Sequence, residues 1–366
     1  MLCVVALHSG TNSWGWIGVD IFFVLSGYLI TGILLDARDA GGSGWASYGR
    51  PFYMRRLLRI VPLAWTFLAL LFVVAPALGL TERVPLAEQL WYWGFLSNGW
   101  LGLRSSSAWM AAHFWSLAVE EQFYLVWPWV LLAIPRHRLN SVLRGLLLTA
   151  VMARVAVTAM GLPPQVGHVY QDLTITRMDG LVAGSLVALL ARDATGLLPR
   201  RRGAAMWLVA CGILFVLLQW YLPTKKVGYV FRYSAFAGCA ASALVLLLSA
   251  SQSSVSRMLS ARWLTWVGTR SYGVYVIHLP VVKWLIGRGL APALVLTEGL
   301  VITLILAALS WVVLERPLLA YKVRWPMPAR AVEEHVIAPE TVEAPVAERL
   351  YAFRDSPNAV VRPGEA

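Results

Sequence analysis

Apolar stretches of about twenty residues recur along this 366-residue chain, and a run of that length is what an α-helix needs to cross the hydrocarbon core of a bilayer. In lipid every backbone amide must find its partner inside the structure, so such runs restrict the chain to a bundle of spanning helices. The composition agrees, with 58% hydrophobic residues, 14% charged residues and a mean hydropathy of +0.65. A soluble chain of two or three domains is excluded by that balance. The expected fold class is all-α, a polytopic transmembrane helix bundle.

Taken in order, the apolar runs predict ten spans, the first incomplete. MLCVVALH offers only eight residues before a polar loop, where a span takes roughly twenty, so the first helix is expected to be cut in half. The others are expected at about 15–35, 55–79, 113–134, 143–160, 173–191, 204–222, 231–250, 263–282 and 292–314. No internal repeat of the kind that marks inverted-repeat transporters is visible. Residues 1–325 are thus expected to form one membrane-embedded domain. Residues 326–366 are rich in Pro, Ala, Val and Glu, with 4 Arg against 7 acidic residues, and are expected to be a disordered tail.

The net charge of +12 implies no nucleic-acid partner, because no soluble basic domain exists to carry it. Instead the charge orients the chain. Seventeen Lys and Arg fall in loops on one side of the ten spans and seven on the other, so the first side, with the tail, is expected to be cytoplasmic and the protein to lie in the plasma membrane. Cys3, Cys211 and Cys239 stand singly in apolar runs and predict neither a disulfide nor a metal site. No cleavable signal peptide is expected.

Within this apolar chain the stretch HFWSLAVEEQFYLVWP, residues 113–128, sets two adjacent carboxylates inside a span. A charge near the bilayer centre costs at least about 2.5–3.5 kcal/mol, which makes an intramembrane Glu a functional-site candidate. At helical spacing His113, Ser116, Glu120 and Tyr124 share a face, and Glu121 points about 100° away. Asp20, Arg177, Asp179 and His278 are further polar residues within apolar runs, and Arg55, Arg56 and Arg59 cluster where the third span begins. The topology puts the arginines on the cytoplasmic side and His8, Asp20, His113, Glu120, Arg177 and Asp179 in the outer half. Asp20 with Arg177 or Asp179 reads equally well as buried structural ion pairs. His278, before Pro280, reads as a satisfied core or interfacial histidine, and Ser26 as a small residue for helix packing.

Five ordered blocks, GVDIFFVLSGYLIT, FYMRRLLRIVPL, HFWSLAVEEQFYLVWP, TRMDGLVAGSLVALL and SYGVYVIHLPV, resemble the acyltransferase-3 family of integral membrane acyltransferases over residues 1–320. The resemblance implies transfer of an acyl group, commonly acetyl, from cytoplasmic acyl-CoA to a hydroxyl of a sugar, glycan or polyketide-type acceptor. It implies that His8 is the catalytic histidine, Glu120 the acidic residue of its block, and Arg55, Arg56 and Arg59 the basic motif. It also implies a longer first helix than the one present. The chemistry is coherent in its own right. A hydroxyl attacking a thioester needs a base, and an imidazole titrating near neutrality suits the task. A carboxylate beside it would fix the tautomer, which leads to an expected His8–Glu120 pair. Arginines suit the phosphates of the donor. Asp20, His113, Glu121, Arg177, Asp179 and His278 are the expected supporting residues. A polytopic transporter, or an inactive truncated member of the family, are the alternative readings.

Overall fold

In the structure, a computed structural model, residues 2–11, 14–100, 109–161, 172–222, 226–250 and 253–328 are described. The expected disordered tail lies outside the described residues from position 329 onward. Every regular element among the described residues is helical.

Six helices are long and apolar enough to cross a membrane: α2 (Ile17–Asp39), α3 (Trp45–Ala77), α6 (Arg136–Ala159), α8 (Leu198–Tyr221), α9 (Val227–Ser249) and α12 (Pro292–Arg324). The expected count of ten is not confirmed. The other four expected spans fall short for physical reasons. The first, α1 (Leu2–His8), has seven residues. The fourth, α5 (Phe114–Ala133), is diluted by Glu120, Glu121 and Gln122. The sixth is broken at Met178 into a single turn, Thr174–Arg177, and the 13-residue α7 (Asp179–Ala191). The ninth breaks at Arg270 into α10 (Arg262–Thr269) and α11 (Ser271–Gly287). These shorter or interrupted elements carry Ser116, Glu120, Arg177, Asp179 and His278 among the buried polar residues. A short amphipathic helix, α4 (Leu86–Trp93), precedes α5.

The helices differ in how they meet lipid. Only 11% of the apolar window of α8 is buried, against 61% for α2, so α8 is peripheral and α2 central. The α2–α7 contact is backbone to backbone. A Cβ placed on Gly27 would stand 1.9 Å from the Leu181 carbonyl oxygen, and one on Gly184 1.9 Å from that of Val24. Small residues of this kind let membrane helices approach closely, gaining dispersion contacts where lipid offers no hydrophobic drive. Next to the glycines a hydrogen-bond chain crosses three helices: Trp127 Nε1 on α5 donates to Thr31 Oγ1 on α2 (2.7 Å), which donates to Ser185 Oγ on α7 (2.7 Å). At the basic end, Arg192 grips both carboxylate oxygens of Asp36 at 2.6 Å, and Arg136 reaches Asp39 at 2.7 Å. The geometry of the Arg192 pair is bidentate, the strong form of such bonds.

Pro62, Pro128 and Pro280 lie inside α3, α5 and α11. Each removes a helix hydrogen bond to the carbonyl four residues earlier, a loss that bilayer helices tolerate when a neighbour supplies a replacement donor.

Candidate active site

Three histidines from three helices meet. His8 ends α1, His113 stands at the start of α5, and His278 lies in the middle of α11. The His8 and His278 ring centroids are 5.3 Å apart, and those of His113 and His278 5.0 Å apart. His113 and His278 are buried, at 3% and 1% exposure, while His8 is half-buried. Proline explains part of the arrangement. Pro280 has no N–H to give the Val276 carbonyl, and His113 Nε2 hydrogen-bonds that oxygen at 3.1 Å. A carbonyl only accepts, so Nε2 carries the proton and donates. By the same logic His278 Nδ1 donates to the Tyr275 carbonyl at 2.6 Å. The remaining nitrogens, His113 Nδ1 and His278 Nε2, are left as acceptors, and both are buried without a partner. Tyr275 completes the cluster: its hydroxyl donates to the His113 carbonyl at 2.7 Å and also bonds Ser116 Oγ.

Glu120 is buried two turns further along α5, where Ser26 and Tyr124 hydrogen-bond it. Seven helical residues separate it from His113, about 10 Å of rise. No hydrogen bond or ion pair joins it to His8, so the expected His8–Glu120 pair is corrected. Docked against α11, α12 and α2, α1 delivers His8 to His278, whereas Glu120 faces Ser26 of α2. Glu121, on a different face as expected, shares with Glu120 the electrostatic reach of Arg56.

The three arginines of α3 are half-buried and differ in their engagements. Arg55 donates to the Trp325 carbonyl at 3.4 Å and Arg59 to the Thr269 carbonyl at 3.3 Å. Arg59 also approaches Glu315 at 4.0 Å and stacks over Trp311. Arg56 makes no hydrogen bond or ion pair among the described residues, leaving its guanidinium available. Polar groups therefore run from Arg56 through Glu121 and Glu120 to Ser116, Tyr275 and the histidines.

A second buried network lies on the far side of Trp115. Arg177 pairs with Asp20 at 2.6 Å, and Arg154 with Asp179 at 3.0 Å. Arg154 is wholly buried and also donates to the carbonyls of Val230 (2.8 Å) and Thr176 (2.5 Å) and to Ser234, which in turn donates to Asp179 at 2.8 Å. Arg177 sits 3.8 Å from the Tyr233 ring centroid and 5.2 Å from that of Trp115. Among the described residues, no group of three or more His, Cys, Asp and Glu is placed to hold a metal ion.

The family model for the acyltransferase domain, acyltransferase-3, matches residues 1–315. The chain belongs to the acyltransferase-3 family. Its similarity extends to the putative peptidoglycan O-acetyltransferase YrhL of Bacillus subtilis, 33% identical across 87% of this chain and 53% of that protein. The peptidoglycan O-acetyltransferase OatA of Listeria monocytogenes is 30% identical across 77% of this chain and 47% of that protein. The O-acetyltransferase OatA of Staphylococcus aureus is 23% identical across 87% and 55%. This acyltransferase-3 chain spans about half the length of the curated relatives it matches. No solved structure gives a significant match.

Two features of these buried polar groups escape a reading of spacing alone. Arg154 is recognisable as an intramembrane charge, yet its partner Asp179 lies on another helix. His278 is expected to be a satisfied histidine, but its Nε2 has no partner. Pro280 marks the Val276 carbonyl as free for a donor, which His113 supplies, but no spacing marks the His278 Nε2.

Proposed function

We propose that this chain is the membrane-embedded part of an O-acyltransferase that moves an acyl group, acetyl foremost, from cytoplasmic acyl-CoA to a hydroxyl of a cell-envelope glycan. Family membership and the names of the relatives support the reaction class and the glycan. The observation that carries the site assignment is the histidine cluster, buried in an apolar bundle with two acceptor nitrogens unpaired. In this reading His8 is the general base. It takes the proton as the glycan oxygen attacks the thioester carbonyl, the carbon–sulfur bond breaks, and the proton passes to the departing thiolate, leaving an O-ester and free CoA.

Arg56, with Arg55 and Arg59, binds the donor phosphates from the cytoplasmic side, and the extended pantetheine arm follows the polar track past Glu121 and Glu120. Glu120 serves this track and the α2–α5 contact, not the orientation of His8. Asp20, Arg177, Arg154 and Asp179 hold the outer half of the bundle in register. Residues 1–325 are the catalytic domain, and 326–366 are a cytoplasmic tail.

The test is reconstitution. Proteoliposomes containing the chain receive acetyl-CoA labelled in the acetyl group on the arginine side and a soluble peptidoglycan fragment on the other. Alkali-labile label on the glycan, absent with His8→Ala at equal protein, is the expected result. Label transfer by His8→Ala at the wild-type rate refutes the base assignment, and no donor binding by the wild-type chain refutes acyl-CoA.

A further inference from the structure

His8 reaches the site without an anion beside it. A base that must present one nitrogen to a hydroxyl needs its other nitrogen held, and in hydrolase triads a carboxylate does this. Among the described residues no carboxylate forms an ion pair or hydrogen bond with His8, and the cation of Lys283 is in its electrostatic reach. The group in ring contact with it is His278.

His278 is built for a single task. Its Nδ1 proton is committed to the Tyr275 carbonyl at 2.6 Å, which fixes the tautomer and leaves Nε2 as a lone-pair acceptor, buried and unpartnered. A buried acceptor without a donor costs about 1–3 kcal/mol, so a site that retains one has a use for it. The spacing is right for a donor from His8. Two imidazoles joined by an ordinary N–H···N bond of about 3 Å stand with centroids roughly 5.2 Å apart, and these stand 5.3 Å apart. The planes are tilted by 43° and no bond is closed, and a catalytic hydrogen bond of this kind is expected to tighten in the reacting complex.

We infer that His278 is the positioning residue for His8: its Nε2 accepts the His8 N–H, a neutral imidazole taking the place that a carboxylate holds in other base dyads. This deepens the proposed function and rests on His8 being the base. Neutrality has a physical advantage within a bilayer. A buried carboxylate must be desolvated, a cost that its attraction to a transient imidazolium has to offset, whereas a neutral imidazole orients the ring with little desolvation cost. The chain ends at the Tyr275 carbonyl, which cannot accept a proton, so His278 orients and does not relay.

The experiment exploits the two amide mimics of histidine. In His278→Gln the amide oxygen can occupy the place of Nε2, and in His278→Asn the amide occupies the place of Nδ1 and leaves nothing toward His8. His278→Met, similar in volume and without an acceptor for this geometry, is the second acceptor-free variant. Activity is measured in proteoliposomes at equal inserted protein and equal donor binding. His278→Gln is expected to keep kcat within about tenfold. His278→Asn and His278→Met are expected to lose about a hundredfold in kcat with KM unchanged, the scale of a base held out of line.

Equal losses in all three variants, or wild-type kcat in Asn and Met, overturn the inference while His8→Ala remains inactive and the proposed function stands. An active His8→Ala protein overturns the base assignment itself, and the inference with it.

Discussion

Replacing Asp179 by Asn leaves the shape of the site almost unchanged and strands the Arg154 guanidinium, which is 0% exposed and 3.0 Å from that carboxylate. The groups that still hydrogen-bond the cation are neutral, the carbonyls of Val230 and Thr176 and the Ser234 hydroxyl, and the next carboxylate, Asp20, acts on it only through space. Removing one partner of a buried pair costs about 3–5 kcal/mol in soluble interiors. Inserted but unpacked membrane helices find substitute partners and snorkel, which lowers the difference. The expected loss is therefore near the lower end, about 3 kcal/mol, a factor of more than 100 in the folded ratio. Arg154→Met should cost a similar amount, because it leaves Asp179 hydrogen-bonded by Ser234 and the Gly180 amide alone, with Arg177 acting only through space. The double variant Arg154→Met/Asp179→Leu buries no charge and should recover most of the loss. The assay is reversible unfolding in mixed micelles across the four proteins of the cycle. Additive losses, with the double variant near 6 kcal/mol, would show that the two residues do not act as a pair.

Arg56→Ala should weaken acyl-CoA binding roughly tenfold to a hundredfold, the worth of one charge-assisted contact, with Arg55→Ala milder; unchanged affinity measured by equilibrium binding would reduce the arginines to a topology signal. Pro280→Ala restores an N–H that competes with His113 for the Val276 carbonyl, so thermal stability should hold or rise while transfer falls; full activity would show that the His113 tautomer is immaterial. Gly27→Leu places atoms where the Leu181 backbone stands and should destabilise by more than the 1–3 kcal/mol typical of overpacking, read as lost detergent-resistant folded protein. With the native cysteines removed, a cysteine at Arg201 should resist membrane-impermeant thiol reagents in intact cells and one at Gly289 should react; the reverse pattern inverts the proposed topology.

The bundle and its polar residues were legible in the sequence because hydropathy reports directly on the solvent a segment can tolerate. Asp20 and Arg177 were visible as partners, since two opposite charges in apolar runs have few alternatives to each other. Span count was less legible, and the reason is physical. Glu120 of α5 is shielded by neighbouring helices and need not meet the apolar demand that lipid makes, while the breaks at Met178 and Arg270 leave pieces shorter than a span. Helical periodicity identified the face shared by His113, Ser116 and Glu120. It does not say what stands opposite, because whether His8 meets the carboxylate or His278 depends on how a seven-residue helix docks.

The contact at Gly27 and Gly184 has a consequence for motion. Helices α2 and α7 touch through backbone, are pinned just beyond the two ends of α7 by Asp20–Arg177 and Asp36–Arg192, and are cross-bolted by Thr31 and Ser185. Such a pair behaves as a stator, since sliding or parting it would break two ion pairs at once. The histidines lie instead where α5 meets α11, a junction fastened by neutral hydrogen bonds from His113, Ser116 and Tyr275 and softened by Pro280. Relative motion near the histidines would therefore be a displacement of α11 against a fixed α2–α7 frame, and each such displacement would carry His278 with it.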